Sequence, residues 1–185
     1  MNLKPGRGLQ IWTEKRSGPC FPILCRRKKN AVIFVGIPAS GKSTFFSRYL
    51  ANTHVHINLD TLHTRNRENI LLAECIERKM SFAVDNTNPT ADERRKYIES
   101  ALSAGYSVLG LVFEGNITEC RKRNLQRTGK ARVPDAAIYS ISSKMQPPRY
   151  SEGFSRLLFV KQCNGDFELE EYFEPDFCQD VDDES

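Results

Sequence analysis

No stretch of this sequence comes near the roughly 20 apolar residues that span a bilayer. Its longest apolar runs, such as residues 108–113, are cut short by charge or glycine. A membrane-spanning helix is therefore not expected. Cysteine is sparse and scattered: six residues, at 20, 25, 75, 120, 163 and 178, form no CxxC pair, and only three histidines accompany them. Neither a zinc cluster nor a dense disulfide framework is signalled, and the cysteines read as reduced thiols, several of them buried. The basic start holds Lys4 and Arg7, but residues 21–25 are too short for the apolar core of a secretory signal, and no small-residue cleavage site follows. A cytoplasmic home is expected. Internal repeats are absent as well.

What is present suffices for one compact domain: 185 residues, 39% of them hydrophobic, give a chain able to bury a real core. The net charge of +4 is unevenly spread. Residues 1–30 hold eight Lys or Arg against one Glu, and residues 168–185 hold nine Asp or Glu and no base, so the middle is left net positive. Such a segment suits a polyanionic partner, although a run such as Arg26, Arg27, Lys28 and Lys29 is equally a solvated surface. The organisation expected is a basic extension over 1–30, a folded domain over 31–172, and an acidic tail over 173–185 that reads as disordered.

From residue 31 short β-branched runs alternate with longer helical segments, the pattern of βαβ units around a parallel sheet. Strands are expected at 31–35, 55–58, 81–84 and 108–113, and helices at 42–50, 68–78, 90–104, 117–127 and 135–145. Thr90 with Glu93 forms a capping box at the third helix, and Gly105 stops it. Asn164-Gly165, between apolar runs at 154–160 and 167–172, is a strong hairpin signal, so the last two strands are expected to be antiparallel.

Gly36-Ile37-Pro38-Ala39-Ser40-Gly41-Lys42-Ser43 fits GxxxxGK[ST] and lies between an expected strand and helix, the context that gives the pattern its meaning. The glycines let the backbone N–H groups curl toward phosphates, and the following helix adds the positive end of its dipole. Lys42 then reaches the β- and γ-phosphates of ATP. Ser43, with Thr44 beside it, supplies a hydroxyl for Mg2+, an ion that needs few protein ligands. An α/β P-loop NTPase fold follows, with a parallel central sheet flanked by helices.

Asp60 follows the second strand, at the sheet edge where such folds gather their active sites. Two roles fit it: general base toward an acceptor hydroxyl, or N-cap of the next helix. The third strand ends in Asp85-Asn86-Thr87-Asn88. Asp85 fits a Walker B-like carboxylate for the metal, whereas Thr87 and Asn88 suit either substrate contact or turn chemistry before Pro89. Arg121, Arg123 and Arg127 crowd the fourth helix, where the last two, four apart, share a face; they either clamp ATP phosphates or form a solvated basic surface.

Taken together, GIPASGKST, NLDTL at 58–62, VDNTNP at 84–89 and RNLQRTGKARVP at 123–134 resemble the polynucleotide 5′-hydroxyl kinase family. This is the phosphoryl-transfer module of phage and eukaryotic end-healing repair enzymes and of bacterial RNA repair proteins. The likeness covers about residues 31–160, and EGF at 152–154 is similar to the eukaryotic members. The resemblance implies that Asp60 is the general base and that Arg123 and Arg127 are arginines of a helical lid on the ATP phosphates. Phage-type members place an acceptor-binding Arg three residues after the catalytic Asp. Here that position is His63, with Arg65 and Arg67 following, and the spacing of Arg67 is closer to the eukaryotic form. No DxDxT phosphatase signature occurs. The expected activity is ATP-dependent phosphorylation of a 5′-OH end of DNA or RNA. The alternatives are a P-loop kinase for a small-molecule hydroxyl, or a nucleotide-binding regulatory module.

Overall fold

The computed structural model describes residues 29–175. The readings made for the extension up to residue 28, for the tail from residue 176, and for Cys20, Cys25 and Cys178 lie outside the described residues. Six strands form one sheet in the order β2-β3-β1-β4-β5-β6. They are β1 (Asn30–Val35), β2 (Val55–Ile57), β3 (Phe82–Val84), β4 (Ser107–Phe113), β5 (Arg156–Cys163) and β6 (Asp166–Glu171). The first five run parallel and β6 returns antiparallel to β5. The turn that reverses it is the expected Asn164-Gly165, with φ of 49° and 79°, the positive pair a two-residue hairpin of this hand requires.

β1 sits centrally and is buried along its whole length, as befits a parallel strand covered on both faces. Its side chains alternate between two cores. Val32 and Phe34 join Phe45, Phe113 and Phe167 on one side; Ala31 and Ile33 join Leu72, Phe82, Tyr97 and Ile98 on the other. Phe45 meets Phe34, Phe113 and Phe167 edge to face, with ring centroids 6.0, 5.6 and 5.3 Å away. Such pairs contribute about 0.5–1.5 kcal/mol each beyond buried area. They anchor the helix that begins at Lys42 directly under the phosphate loop.

That helix, α1 (Lys42–Phe45), widens over residues 46–50 into a turn in which the Ala51 N–H donates to Phe46 O, five residues back, at 3.0 Å. The remaining helices are α2 (Leu59–Leu62), α3 (Arg65–Glu77), α4 (Ala91–Ser103), α5 (Ile117–Leu125) and α6 (Asp135–Ser143). The short α2 had no counterpart in the sequence pattern, because four residues carry no periodicity. At α4, Thr90 Oγ1 accepts from the Glu93 N–H at 3.3 Å, which is one half of the expected capping box, while Glu93 itself lines the cavity; Gly105 follows the helix with φ of 75°. Among the described residues Cys75 and Cys120 are buried thiols and Cys163 is exposed. No helix among them is long and apolar enough to cross a membrane.

Candidate active site

The carboxyl ends of β1, β2 and β3 open onto a cavity of about 310 Å³. Six residues of the phosphate loop line it: Pro38, Ala39, Gly41, Lys42, Ser43 and Thr44. Facing them are Asp60, Arg65, Asp85, Asn86, Thr87, Glu93 and Arg127. Gly36, Ile37 and Ser40 lie behind the wall. A Cβ on Gly36 would come within 3.0 Å of Phe113 Cβ and of Ser40 Oγ, so any side chain there would have to push one of them aside. Gly41 has φ of 100° and Ala39, a residue with a Cβ, has φ of 62°. Holding Ala39 in the left-handed region costs on the order of 1–2 kcal/mol, strain of the kind that collects at functional loops.

Lys42 is buried, and its ammonium donates to Gly36 O at 3.0 Å and Ile37 O at 2.7 Å. Burial lowers its pKa from the ordinary 10.5 to about 8; Asp85 and Cys120 act against the shift and Arg127 adds to it. Because the folded value lies below the unfolded one, the free protein gives up this proton between about pH 8 and 10.5 while the unfolded chain keeps it. Polyphosphate favours the charged ammonium, so ATP binding above pH 8 must take up a proton. ATP affinity should therefore fall toward about tenfold per pH unit above 8. Calorimetry in buffers of differing ionisation heat should register the proton; affinity flat from pH 8 to 9.5 contradicts this role.

Asp85 is buried at the end of β3. Its Oδ2 accepts from His56 Nε2 at 2.9 Å and from Asn58 Nδ2 at 3.1 Å. Burial alone would raise its pKa, but hydrogen bonds from His56 and Ser43 and the charge of Lys42 overcome that and hold it below the usual carboxylate range. His56 is itself clamped, stacked on Phe46 at 3.9 Å between ring centroids. The Ser43 hydroxyl and the ionised Asp85 carboxylate, side by side on the wall of the phosphate loop, are the hard oxygen set that suits magnesium.

Asp60 is exposed on the cavity wall in the first turn of α2. It caps nothing: Asn58 Oδ1 accepts from the Thr61 N–H at 3.1 Å and caps α2, and Thr64 caps α3. The N-cap alternative for Asp60 is thereby removed.

The arginines separate. α5 ends at Leu125, two residues before Arg127, so Arg123 and Arg127 do not share a helix face as the spacing suggested. Buried Asn124 causes the break, donating to Val133 O at 2.7 Å and accepting from Val133 N at 3.0 Å. This pins a loop that carries Arg127 onto the wall. Arg123 instead donates to Gln162 on β5 and to Cys120 Sγ, and Arg121 pairs with Asp135 at 2.6 Å. Of the residues expected to meet an acceptor, Arg65 and Thr87 reach the wall, and Arg67, exposed on α3, does not. Asn88 is buried and donates to Phe34 O at 2.7 Å, so its side chain secures the turn rather than facing a ligand. His56, Asn58 and Glu68 carry no functional expectation from the sequence, Asn86 is named there only as part of its segment, and Glu93, expected as a cap partner, lies on the cavity wall. Asn58 alone carried a signal, an Asn placed three residues before the N–H it caps.

Residues 32–148 match the family model described as an AAA domain. The chain belongs to this family. It is a nucleotide-binding P-loop kinase by fold, its sheet mostly parallel between helices. It is 29% identical over 142 residues to the bifunctional polynucleotide phosphatase/kinase of Schizosaccharomyces pombe, a match covering 74% of this chain and 35% of that protein. The chain thus spans about a third of that relative's length. Among solved structures, the Pnkp1/Rnl/Hen1 RNA repair complex superposes with a TM-score of 0.55 and 22% identity, over 65% of this chain and 45% of the other. A gluconokinase from Sinorhizobium meliloti 1021 superposes with a TM-score of 0.50 and 22% identity, over 74% and 84%. At such identities the structures show the fold alone. The likeness to polynucleotide kinases read from the motifs has its counterpart in the yeast relative.

Proposed function

We propose that this P-loop kinase transfers the γ-phosphoryl group of ATP to the 5′-hydroxyl end of a nucleic acid. The observation that carries the reading is the placing of Asp60, free of any capping duty, on the same cavity wall as Lys42, Ser43 and Asp85. In this mechanism Asp60 takes the proton of the acceptor hydroxyl as its oxygen attacks phosphorus in line, the step asked of a kinase's catalytic carboxylate. Lys42 and Arg127 hold the phosphates and meet the charge that builds on the transferred group. Arg123 joins them on exchanging Gln162 for the nucleotide. Ser43 and Asp85 would hold magnesium, which when bound neutralises charge on the β- and γ-oxygens. Arg65 and Thr87 belong to the acceptor side, nearest the chemistry; Arg67, exposed on α3, would meet the acceptor farther out, and Asn88 serves only to secure the turn.

The nucleic acid end, rather than a small metabolite, is favoured by the polynucleotide phosphatase/kinase at 29% identity and by Arg65, a cation on the cavity wall that the ATP phosphates do not claim. The fold does not choose, since a gluconokinase shares it. Incubation with labelled ATP and 5′-OH DNA, RNA and nicked duplex tests the reading, with gluconate and nucleosides as competitors. Label on an oligonucleotide that metabolites fail to compete away is expected. Label on a metabolite alone, or hydrolysis indifferent to any acceptor, overturns it.

Arg127→Ala should lower kcat by roughly 10²- to 10³-fold, the usual cost of removing one preorganised donor to a developing charge. Arg127→Lys should recover only part, because a point charge does not replace the planar fork. Wild-type turnover by the lysine variant would remove the bidentate clamp.

A further inference from the structure

Glu68, in the first turn of α3, has a fully buried carboxylate that nothing in the phosphoryl-transfer scheme uses. It is surrounded by donors from three elements. Asn86 Nδ2 donates to its Oε1 at 2.7 Å and Tyr97 OH at 2.8 Å. Lys96 Nζ donates to its Oε2 at 2.6 Å and Arg65 Nη1 at 2.9 Å. Burial by itself would push the carboxyl up, but the hydrogen bonds from Lys96, Tyr97, Arg65 and Asn86 prevail and hold its pKa down to about 2. It is ionised at any working pH.

Two of those donors lead into the active cavity. Asn86 is on the wall, and its Oδ1 accepts from the Leu59 N–H at 3.0 Å, the first residue of α2 and the neighbour of Asp60. A backbone N–H only donates, so the Asn86 oxygen must face Leu59 and its NH2 must face an acceptor. Glu68, acceptor-only when ionised, is that acceptor. Arg65 is also on the wall, and its guanidinium is tied to Glu68 and to Tyr97 OH at 3.2 Å. One buried carboxylate therefore fixes both the amide that seats the Asp60 helix and the arginine that stands beside it.

We propose that Glu68 is a positioning residue for the acceptor half of the site, acting through Asn86 on the helix bearing Asp60 and through Arg65 on the acceptor itself. The proposal deepens the 5′-OH kinase reading and rests on it for the identity of the acceptor. Its effect on the nucleotide half should be small: Lys42 and Ser43 stand beside Asp85, which is held by His56 and Asn58 rather than by this carboxylate, and the loop at 36–41 meets the segment of Asn86 only through the backbone, where the Gly36 N–H donates to Thr87 O at 3.1 Å. Glu68→Gln keeps the shape but turns a donor toward Arg65, Lys96 or Asn86.

The variant should raise KM for a 5′-OH oligonucleotide by about 10- to 100-fold, the worth of one or two charge-assisted hydrogen bonds. The Kd for ATP should move by less than about twofold. In a double-mutant cycle with Arg65→Ala the two effects on KM should be sub-additive, because one acts partly through the other. Hydrogen exchange of the segment 59–63 should quicken in Glu68→Gln and not in Arg65→Ala. If Glu68→Gln fails to fold, Lys96→Met, which strips one cation from the same carboxylate at a half-exposed position, is carried through the same assays. A loss of ATP affinity parallel to the loss on the acceptor, or full additivity, reduces Glu68 to a structural residue and overturns the proposal. If the wild type labels no oligonucleotide, the function reading falls by itself, and unchanged exchange at 59–63 would then overturn the positioning role independently.

Discussion

Replacing Lys42 by alanine should abolish phosphoryl transfer, with kcat lower by roughly 10³-fold or more, and should weaken ATP binding measurably. The ammonium is held by the carbonyls of Gly36 and Ile37 at 3.0 and 2.7 Å, so it is aimed before any phosphate arrives. A preorganised charge in a buried site does more for a developing negative charge than one that must reorient. Alanine also strips those carbonyls of a donor, and part of the effect will be a loosened loop. Lys42→Met, which keeps the volume, separates the two. Thermal melting reports the loop, and transfer of labelled phosphate reports the charge. Unchanged kcat in the methionine variant would refute the assigned role.

Asp60→Asn is expected to cut transfer by roughly 10²- to 10⁴-fold, the usual worth of a general base. Asparagine matches aspartate in size and reach and lacks only the ability to take the proton. The ends of α2 and α3 are capped by Asn58 and Thr64, so no fold-stabilising duty falls on position 60 and the melting temperature should stay put. ATP affinity should hardly move either. Turnover near the wild-type level would take Asp60 out of the mechanism, and with it most of the case for a hydroxyl acceptor.

Much of this was legible in the sequence, for identifiable reasons. The strands β1 to β4 announce themselves as β-branched runs, and the Asn164-Gly165 hairpin and the Thr90 cap are local chemistry that needs no tertiary knowledge. GxxxxGKS carries its geometry in its spacing. What escaped depended on contacts distant along the chain. Glu68 reads as an ordinary helix glutamate until Asn86 and Lys96, 18 and 28 residues on, are folded against it. His56 looks like a polar residue in a short strand, and only the approach of Asp85 across 29 residues gives it a task. The misjudged arginine pair has a similar cause. The 3.6-residue period runs on through Arg127 in the sequence, but in the fold the amide of Asn124 closes on Val133 and ends the helix. For Asn88, three residues after Asp85, the sequence leaves substrate contact and turn chemistry both open, and the backbone of Phe34 decides for the turn.

The strand order has a consequence for how the molecule comes into being on the ribosome. β1 lies between β3 and β4, so at the moment it emerges both of its neighbours are still unmade. The last residues of β1 gain both partners only when Phe113 has followed. At about 5–20 residues per second, that is on the order of 4–15 s after Gly36 is made. Until then the phosphate loop has no floor. Its first amide waits for Thr87 O, which it meets at 3.1 Å, and for the Phe113 side chain that closes behind Gly36. Nucleotide is therefore expected to engage late, once the sheet that floors the loop is assembled.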